Sequence, residues 1–315
     1  MQRLTHAVDA LGRKLMLARA PRRIVSLVPS DTYSLVRLGV ADRVVGRTRY
    51  CVAPAEVESI PVVGGTKDAD VDAIVEIFPD LVIANQEENT RRDLERLVAA
   101  NIAVYVSFPK TAAEGFAHLA RLARLLDRAE ERDVKEMLAA HYHALREAES
   151  LRSREPAVPT FFPIWMDPLM TINGDTFISD MIALGGGANV FADRERRYPL
   201  AADLGERAPL PSERVQGRDI RYPRVTLQEV VRRAPELVLL PDEPHAFTEN
   251  DAATFRALDI PAARPENEAD HAIRCVDGKD FSWYGAKSLE SIARIRKLVA
   301  RGRSHRSKSN QSKAP

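Results

Sequence analysis

Two distant stretches of this chain are written to the same plan. "FPDLVIANQEEN" runs from Phe78 to Asn89 and "APELVLLPDEPH" from Ala234 to His245. Each is a proline, an acidic residue, a short apolar run and an abrupt polar, acidic segment. An unalternated apolar run of this length predicts a strand buried on both faces. The match extends upstream: "TLQEVVRRAPELVLL" (226–240) echoes "DVDAIVEIFPDLVIA" (70–84), and "GDTFISDMIALGGGANVF" (174–191) echoes "PSDTYSLVRLGVADRVVG" (29–46). A helix–strand unit repeated this way restricts the chain to two similar α/β lobes. Two copies do not make a solenoid, which needs at least three.

Within the first lobe, "RIVSLV" (23–28), "RVVG" (43–46), "LVIA" (81–84) and "AVYVS" (103–107) read as strands. Helices are expected through "YSLVRLG", capped by Ser30, Asp31 or Thr32 and stopped at Gly39, and over 70–78 and 90–101. Strands alternating with helices imply a mainly parallel sheet flanked by helices. This lobe covers 1–110. Residues 111–152 differ: "TAAE" (111–114) is a capping box, and apolar residues then recur at helical spacing with no proline or glycine after Gly115. One long connecting helix, or two in line, is expected there. The second lobe, 153–300, restarts with a strand over "TFFPIW" (160–165). Residues 200–223, rich in proline, glycine and charge, read as an inserted surface loop. The basic, apolar-poor end, 301–315, reads as a disordered tail.

Composition excludes several classes. With 46 basic and 45 acidic residues the formal net charge is +1, which gives no global field for nucleic acid or an anionic membrane. No apolar run approaches the roughly 20 residues that span a bilayer. The N-terminal "MQRLTHAVDALGRKLMLARAPRR" shows no signal peptide, because Asp9, Arg13 and Lys14 interrupt every apolar core. A cytoplasmic location is therefore expected, or a periplasmic one if translation starts upstream. Cys51 and Cys275 are expected to be unpaired thiols.

No catalytic constellation is evident: the glycine clusters at 63–65 and 185–187 lack the phosphate-loop lysine and read as tight turns. His141 and His143, two apart on the connecting helix, face different directions, so they cannot share a metal and are expected at its surface or boundary. His245 stands apart, just beyond a predicted strand's carboxyl end, where open α/β sheets bind ligands. Its ring offers an axial ligand to a chelated cobalt or iron. Trp165 ends a predicted strand, Tyr50 follows one, and Trp283 and Tyr284 lie in a loop before the last helix; all four are expected near strand carboxyl ends, and aromatic walls are what hold large flat ligands. Pro29 and Ser30, at the turn after the first strand, join them as candidate ligand contacts.

Taken in order, "PRRIVSLVPSDTYSLVRLGVADRVVGRT" (21–48), "VVGGTKDADVDAIVEIFPDLVIANQEEN" (62–89), "WMDPLMTINGDTFISDMIALGGGANVF" (165–191), "RYPRVTLQEVVRRAPELVLLPDEP" (221–244) and "FSWYGAKSLESI" (281–292) resemble the class III periplasmic-type substrate-binding proteins for cobalamin and iron chelates. Within that family the similarity is to the helical-backbone metal receptors. The resemblance implies two lobes joined by a backbone helix and a ligand held between them. The ligand would be a corrinoid, heme or ferric siderophore delivered to an ABC permease, with no catalysis, no required cofactor and a monomeric chain. It also implies an acidic residue on each lobe that docks to the permease. The matching positions are Asp72 and Gln228, with Glu229 beside the latter. A tryptophan found in some cobalamin receptors has no match in "GGTKD" (64–68), and a catecholate siderophore would call on arginines such as Arg47, Arg49 and Arg274. Two other readings follow from the same residues. One is a cytosolic sensor or interaction module uncoupled from transport. The other is a chelatase-like tetrapyrrole enzyme using His245, Glu87 and Glu88.

Overall fold

The repeated apolar runs form the third strand of two parallel sheets of identical topology. In the computed structural model, which describes residues 5–264 and 272–311, the chain divides into two compact units. Unit 1 comprises residues 1–143 and Trp283–Leu289, and unit 2 residues 144–282 and 290–315. The unit boundary thus falls inside a helix, and a seven-residue segment near the C-terminus belongs with the first unit, not with the 153–300 lobe read from sequence.

Unit 1 opens with a hairpin, β1 (Thr5–Val8) and β2 (Lys14–Leu17), that the sequence did not announce. Asp9 ties its turn by accepting from Leu11 N, Arg13 N and Arg13 Nε, and Ala10 N donates to Val106 O at 2.8 Å. The sheet follows: β3 (Ile24–Ser26), helix α1 (Pro29–Arg37), β4 (Val44–Arg47), α2 (Val71–Glu76), β5 (Leu81–Asn85), α3 (Arg91–Ala99) and β6 (Val104–Ser107). Strand order is β4-β3-β5-β6, all parallel. Side chains alternate across the pleat. Ile24, Leu81, Ile83 and Tyr105 enter one apolar cluster, and Val25, Val82, Ala84 and Val104 the other. Both faces are therefore covered, which is why these strands read as continuous apolar runs.

Helix α1 starts one turn earlier than expected. Pro29 takes the first position and Val28 the cap, with no side-chain cap bond, so Ser30, Asp31 and Thr32 lie inside the helix. It stops at Gly39 as read: Gly39 (φ +71°) donates to Val36 O and Val40 N to Leu35 O, the paired bonds of a Schellman stop. The 111–152 segment contains two helices, α4 (Ala112–Leu125) and α5 (Arg132–Arg152). Thr111 and Glu114 form the expected capping box. The break uses the same Schellman bonds with Asp127 in the left-handed position (φ +57°): Asp127 N to Arg124 O and Arg128 N to Ala123 O. Aspartate tolerates that conformation without advertising it as glycine does.

Unit 2 runs β7 (Val158–Phe161), β8 (Pro163–Met166), β9 (Leu169–Thr171), α6 (Phe177–Leu184), β10 (Gly187–Asn189), α7 (Leu200–Asp203), α8 (Ser212–Val215), α9 (Leu227–Arg233), β11 (Leu237–Pro241), α10 (Glu249–Arg256), β12 (Ile273–Val276), α11 (Lys279–Ser282) and α12 (Ala286–Gln311). The order β10-β7-β11-β12, again all parallel, repeats unit 1. "TFFPIW" is split at its proline: β7 enters the sheet, while β8 pairs antiparallel with β9. The presumed surface loop 200–223 is folded. The buried Asp203 carboxylate receives Arg194 Nη1 (3.0 Å), Arg197 N (2.9 Å) and Arg224 N (2.7 Å), which clamps both ends of the insertion. The tail expected to be disordered continues α12 through Gln311, because Arg, Lys, Ser and Gln propagate a helix already nucleated by a packed segment. Residues 312–315 of that expectation lie outside the described residues.

His141, expected at the surface or boundary, is fully buried, its ring edge-on to Phe116 at 5.2 Å and its Nε2 3.2 Å from Ser288 Oγ. Its helix face turns inward, whereas His143 on another face is exposed. Burial lowers its pKa from 6.5 to about 4. Between those values the unfolded chain binds the extra proton, so stability rises with pH across that window and is lost as pH falls through it. The stability difference between the wild type and His141→Gln should therefore shrink by about 3 kcal/mol on going from neutral pH to below the folded-state pKa. Guanidinium titrations across that range measure it.

Candidate functional site

Each unit gathers polar and aromatic groups where its parallel strands end, the general location of ligand sites in open α/β sheets. In unit 1 the terminal residues of β5 and β6, Asn85 and Ser107, meet Asp31 of α1, His118 of α4 and Tyr284. Asp31 accepts from His118 Nε2 at 2.6 Å and from the Tyr284 hydroxyl at 3.0 Å. Asn85 Nδ2 donates to the Tyr284 oxygen at 3.1 Å, and Ser107 Oγ lies 2.9 Å from it. Ser30 also hydrogen-bonds Tyr284 through its side chain. Burial, and after it the Asp31 charge, push the Tyr284 phenol well above its ordinary range, so it stays protonated and donates. The His118 ring stacks on Tyr105 with centroids 5.7 Å apart, and its Nδ1 has no partner among the described residues.

Of the unit 1 candidates, Pro29, Ser30, Trp283 and Tyr284 are all buried. Trp283, 5% exposed, packs edge-on against Tyr33 inside the apolar cluster. Tyr50 is 52% exposed after β4, its ring 5.8 Å from the Arg49 guanidinium, which pairs with Asp68 at 2.9 Å. Arg47 is buried and spends its guanidinium on the carbonyls of Val57 and Glu58, so neither it nor Arg49 is free for a siderophore. Gly64 (φ +98°) makes the expected tight turn, where a Cβ would stand 2.5 Å from Asp68 O.

In unit 2 the structure does bring two candidates together. Trp165 of β8 is 44% exposed, and its ring centroid lies 5.3 Å from that of His245, which follows β11. Phe247, buried, also packs edge-on against the imidazole, with centroids 4.6 Å apart. Neither ring nitrogen of His245 hydrogen-bonds another described residue. The result is an exposed indole beside a half-buried imidazole with unspent nitrogens. No group of three or more metal-ligating side chains occurs among the described residues.

The docking candidates occupy equivalent places. Asp72 and Gln228 are each the second residue of their helices, α2 and α9, behind the caps Asp70 and Thr226. Asp72 is exposed and pairs with Arg96 at 2.8 Å. Glu229 turns inward to Arg194 Nε at 3.1 Å and does not replace the missing carboxylate at Gln228.

A family model described as periplasmic binding protein matches residues 24–231, well over half of the chain. The chain belongs to the periplasmic binding protein family. The vitamin B12-binding protein of Yersinia pestis (strain Pestoides F) is 26% identical over 235 residues, 74% of either chain. That of Yersinia pseudotuberculosis serotype O:3 (strain YPIII) is 28% identical over 194 residues, covering 61% of this chain and 68% of the relative. Among solved structures, the periplasmic vitamin B12 binding protein BtuF of Vibrio cholerae superposes with a TM-score of 0.68 at 17% identity, covering 90% of this chain and 98% of that one. A periplasmic heme binding protein from Pseudomonas aeruginosa gives 0.68 at 15% identity, covering 89% and 92%. The α/β fold of this periplasmic binding protein is the one those proteins share.

Asp31 is the hub of the unit 1 network. Asp31→Ala leaves the buried His118 Nε2 and Tyr284 hydroxyl without their acceptor and should cost about 3 kcal/mol or more. Tyr284→Phe should cost about 1 kcal/mol. Guanidinium unfolding of both variants checks this ordering.

Proposed function

We propose that this chain binds a corrinoid or heme, without catalysis, and that His245 is an axial ligand to the bound metal. The Trp165–His245 pair carries the reading: an exposed indole gives a flat macrocycle an apolar wall, and an imidazole with unspent nitrogens can reach the metal from one side. The B12-binding and heme-binding proteins to which the chain is similar support the same class of ligand. A corrinoid is preferred over a ferric catecholate because Arg47 and Arg49 are already occupied.

The partner in this reading is an ABC permease, with a specific reservation that favours a soluble ligand sensor as the second reading. Asp72 carries an exposed carboxylate on α2 that pairs with Arg96, while Gln228 is neutral and Glu229 turns inward to Arg194. A glutamine lacks the charge-assisted pairing that a permease arginine would exploit. The sensor reading places the chain in the cytoplasm, and the permease reading requires the periplasm. In the sensor reading cell fractionation should recover the native protein with the cytosol; recovery with the periplasmic fraction would overturn that placement.

The decisive test is a visible spectrum of the protein after gel filtration with cobalamin and, separately, with heme. A retained chromophore with an imidazole-ligated band is expected, and His245→Ala should lose that band shape. The retained ligand should also raise the melting temperature, because it binds the folded state alone. No retention of either chromophore would refute the proposal.

A further inference from the structure

The insertion of unit 2 builds a cavity of its own, of about 850 Å³, from residues that follow β10 and from the arm Pro209–Ile220. Five arginines line it: Arg194, Arg196, Arg197, Arg218 and Arg233. Two are neutralised. Arg194 is held by Asp203 at 3.0 Å and Glu229 at 3.1 Å, and Arg233 by Asp193. Arg196, Arg197 and Arg218 form no ion pair among the described residues. Arg196 and Arg218 instead both lie against the ring of Tyr198, at 4.7 and 5.0 Å from its centroid. The nearby Asp219 carboxylate is already taken by Arg221, at 2.9 and 2.6 Å.

One guanidinium nitrogen of the lining, Arg196 Nε, is buried without an acceptor among the described residues, as are Nε and Nη1 of Arg224, which lies outside the lining. A buried charged donor with no acceptor is costly and calls for a partner. Desolvation, and then repulsion from Arg196, lowers the Arg224 pKa, with the Asp203 charge acting in the opposite direction. Glu195 and Glu213 share the wall and oppose a weakly charged anion. The acceptor that fits several guanidinium forks at once is a phosphoryl group, with its three oxygens and roughly two negative charges at neutral pH.

We propose that this cavity binds a phosphomonoester, its phosphoryl group held by Arg196 and Arg218. The cavity is far larger than a phosphate ion, and Leu210, Val215 and Ile220 in its wall provide apolar surface for the ester's organic part. The inference stands on unit 2 alone and does not depend on the corrinoid reading.

Isothermal titration calorimetry of the full chain with phenyl phosphate, and in parallel with inorganic phosphate, tests it. Saturable binding of phenyl phosphate is expected, at least tenfold tighter than inorganic phosphate and weakened by added salt. Arg196→Gln and the exposed-site variant Arg218→Gln should each weaken it about tenfold or more while cobalamin or heme retention is unchanged. Equal affinity for the two probes would reassign the site to free phosphate and overturn the ester. Absence of saturable binding by the wild type, or undiminished binding by Arg218→Gln, would overturn the site altogether.

Discussion

A single buried carboxylate organises the end of the first sheet. Asp31 stands on α1 directly after β3, and its two oxygens are shared between an imidazole from α4 and a phenol 253 positions later in the chain. A carboxylate without exposure to water is tolerated only when its lone pairs are filled by good donors. Meeting that requirement fixes α1 against α4, draws Trp283–Leu289 into unit 1, and sets the ends of β5 and β6 through Asn85 and Ser107. Gly285 (φ +74°) lets the returning backbone come close enough for Ala286 N to reach Ser34 Oγ at 3.1 Å.

The second unit solves a comparable problem by a different pairing. The buried carboxylate at its insertion is Asp203, and the donors are Arg194 and two backbone N–H groups from either end of the insertion. A segment of this composition would otherwise have little apolar surface to hold it. Here electrostatics replaces core packing as the reason a polar excursion has one conformation, and that same concentration of arginine gives the region its distinct chemistry.

Much of the architecture was legible because burial on both faces erases alternation: "LVIA" and "LVLL" can hardly be anything but interior strands. The repeat of helix, proline, acid and strand implied the two-lobe plan, and the family came from the resemblance carried by the ordered segments between Pro21 and Ile292. What was hidden has a common physical cause. Helix ends marked by Gly39 were readable, whereas the left-handed Asp127 left the 111–152 segment looking continuous. "TFFPIW" reads as one strand since nothing in six residues shows that Pro163 begins a separate hairpin. At the candidate site, His245 and Trp165 were found from their positions beyond strand ends, and the structure places them side by side. Trp283 satisfied the same rule and is instead packed into the core, because sequence does not say which way a loop aromatic turns. Asp31, His118 and Asn85 were missed as a network, since their partners are contributed by elements far apart along the chain.

The assignment of Trp283–Leu289 to unit 1 bears on how the protein is made. Neither unit is a continuous stretch of polypeptide, because the chain leaves unit 1 within α5, returns to it at Trp283 and leaves it again after Leu289. Domains usually fold as they emerge during synthesis, N-terminal first. Here the first sheet can collapse early, but Asp31 has no phenol to bind until almost the whole chain has left the ribosome. Completion of the first unit is thereby postponed to the end of translation, and a ribosome that stalls before codon 283 releases a first unit whose Asp31 keeps its His118 donor but lacks the phenol.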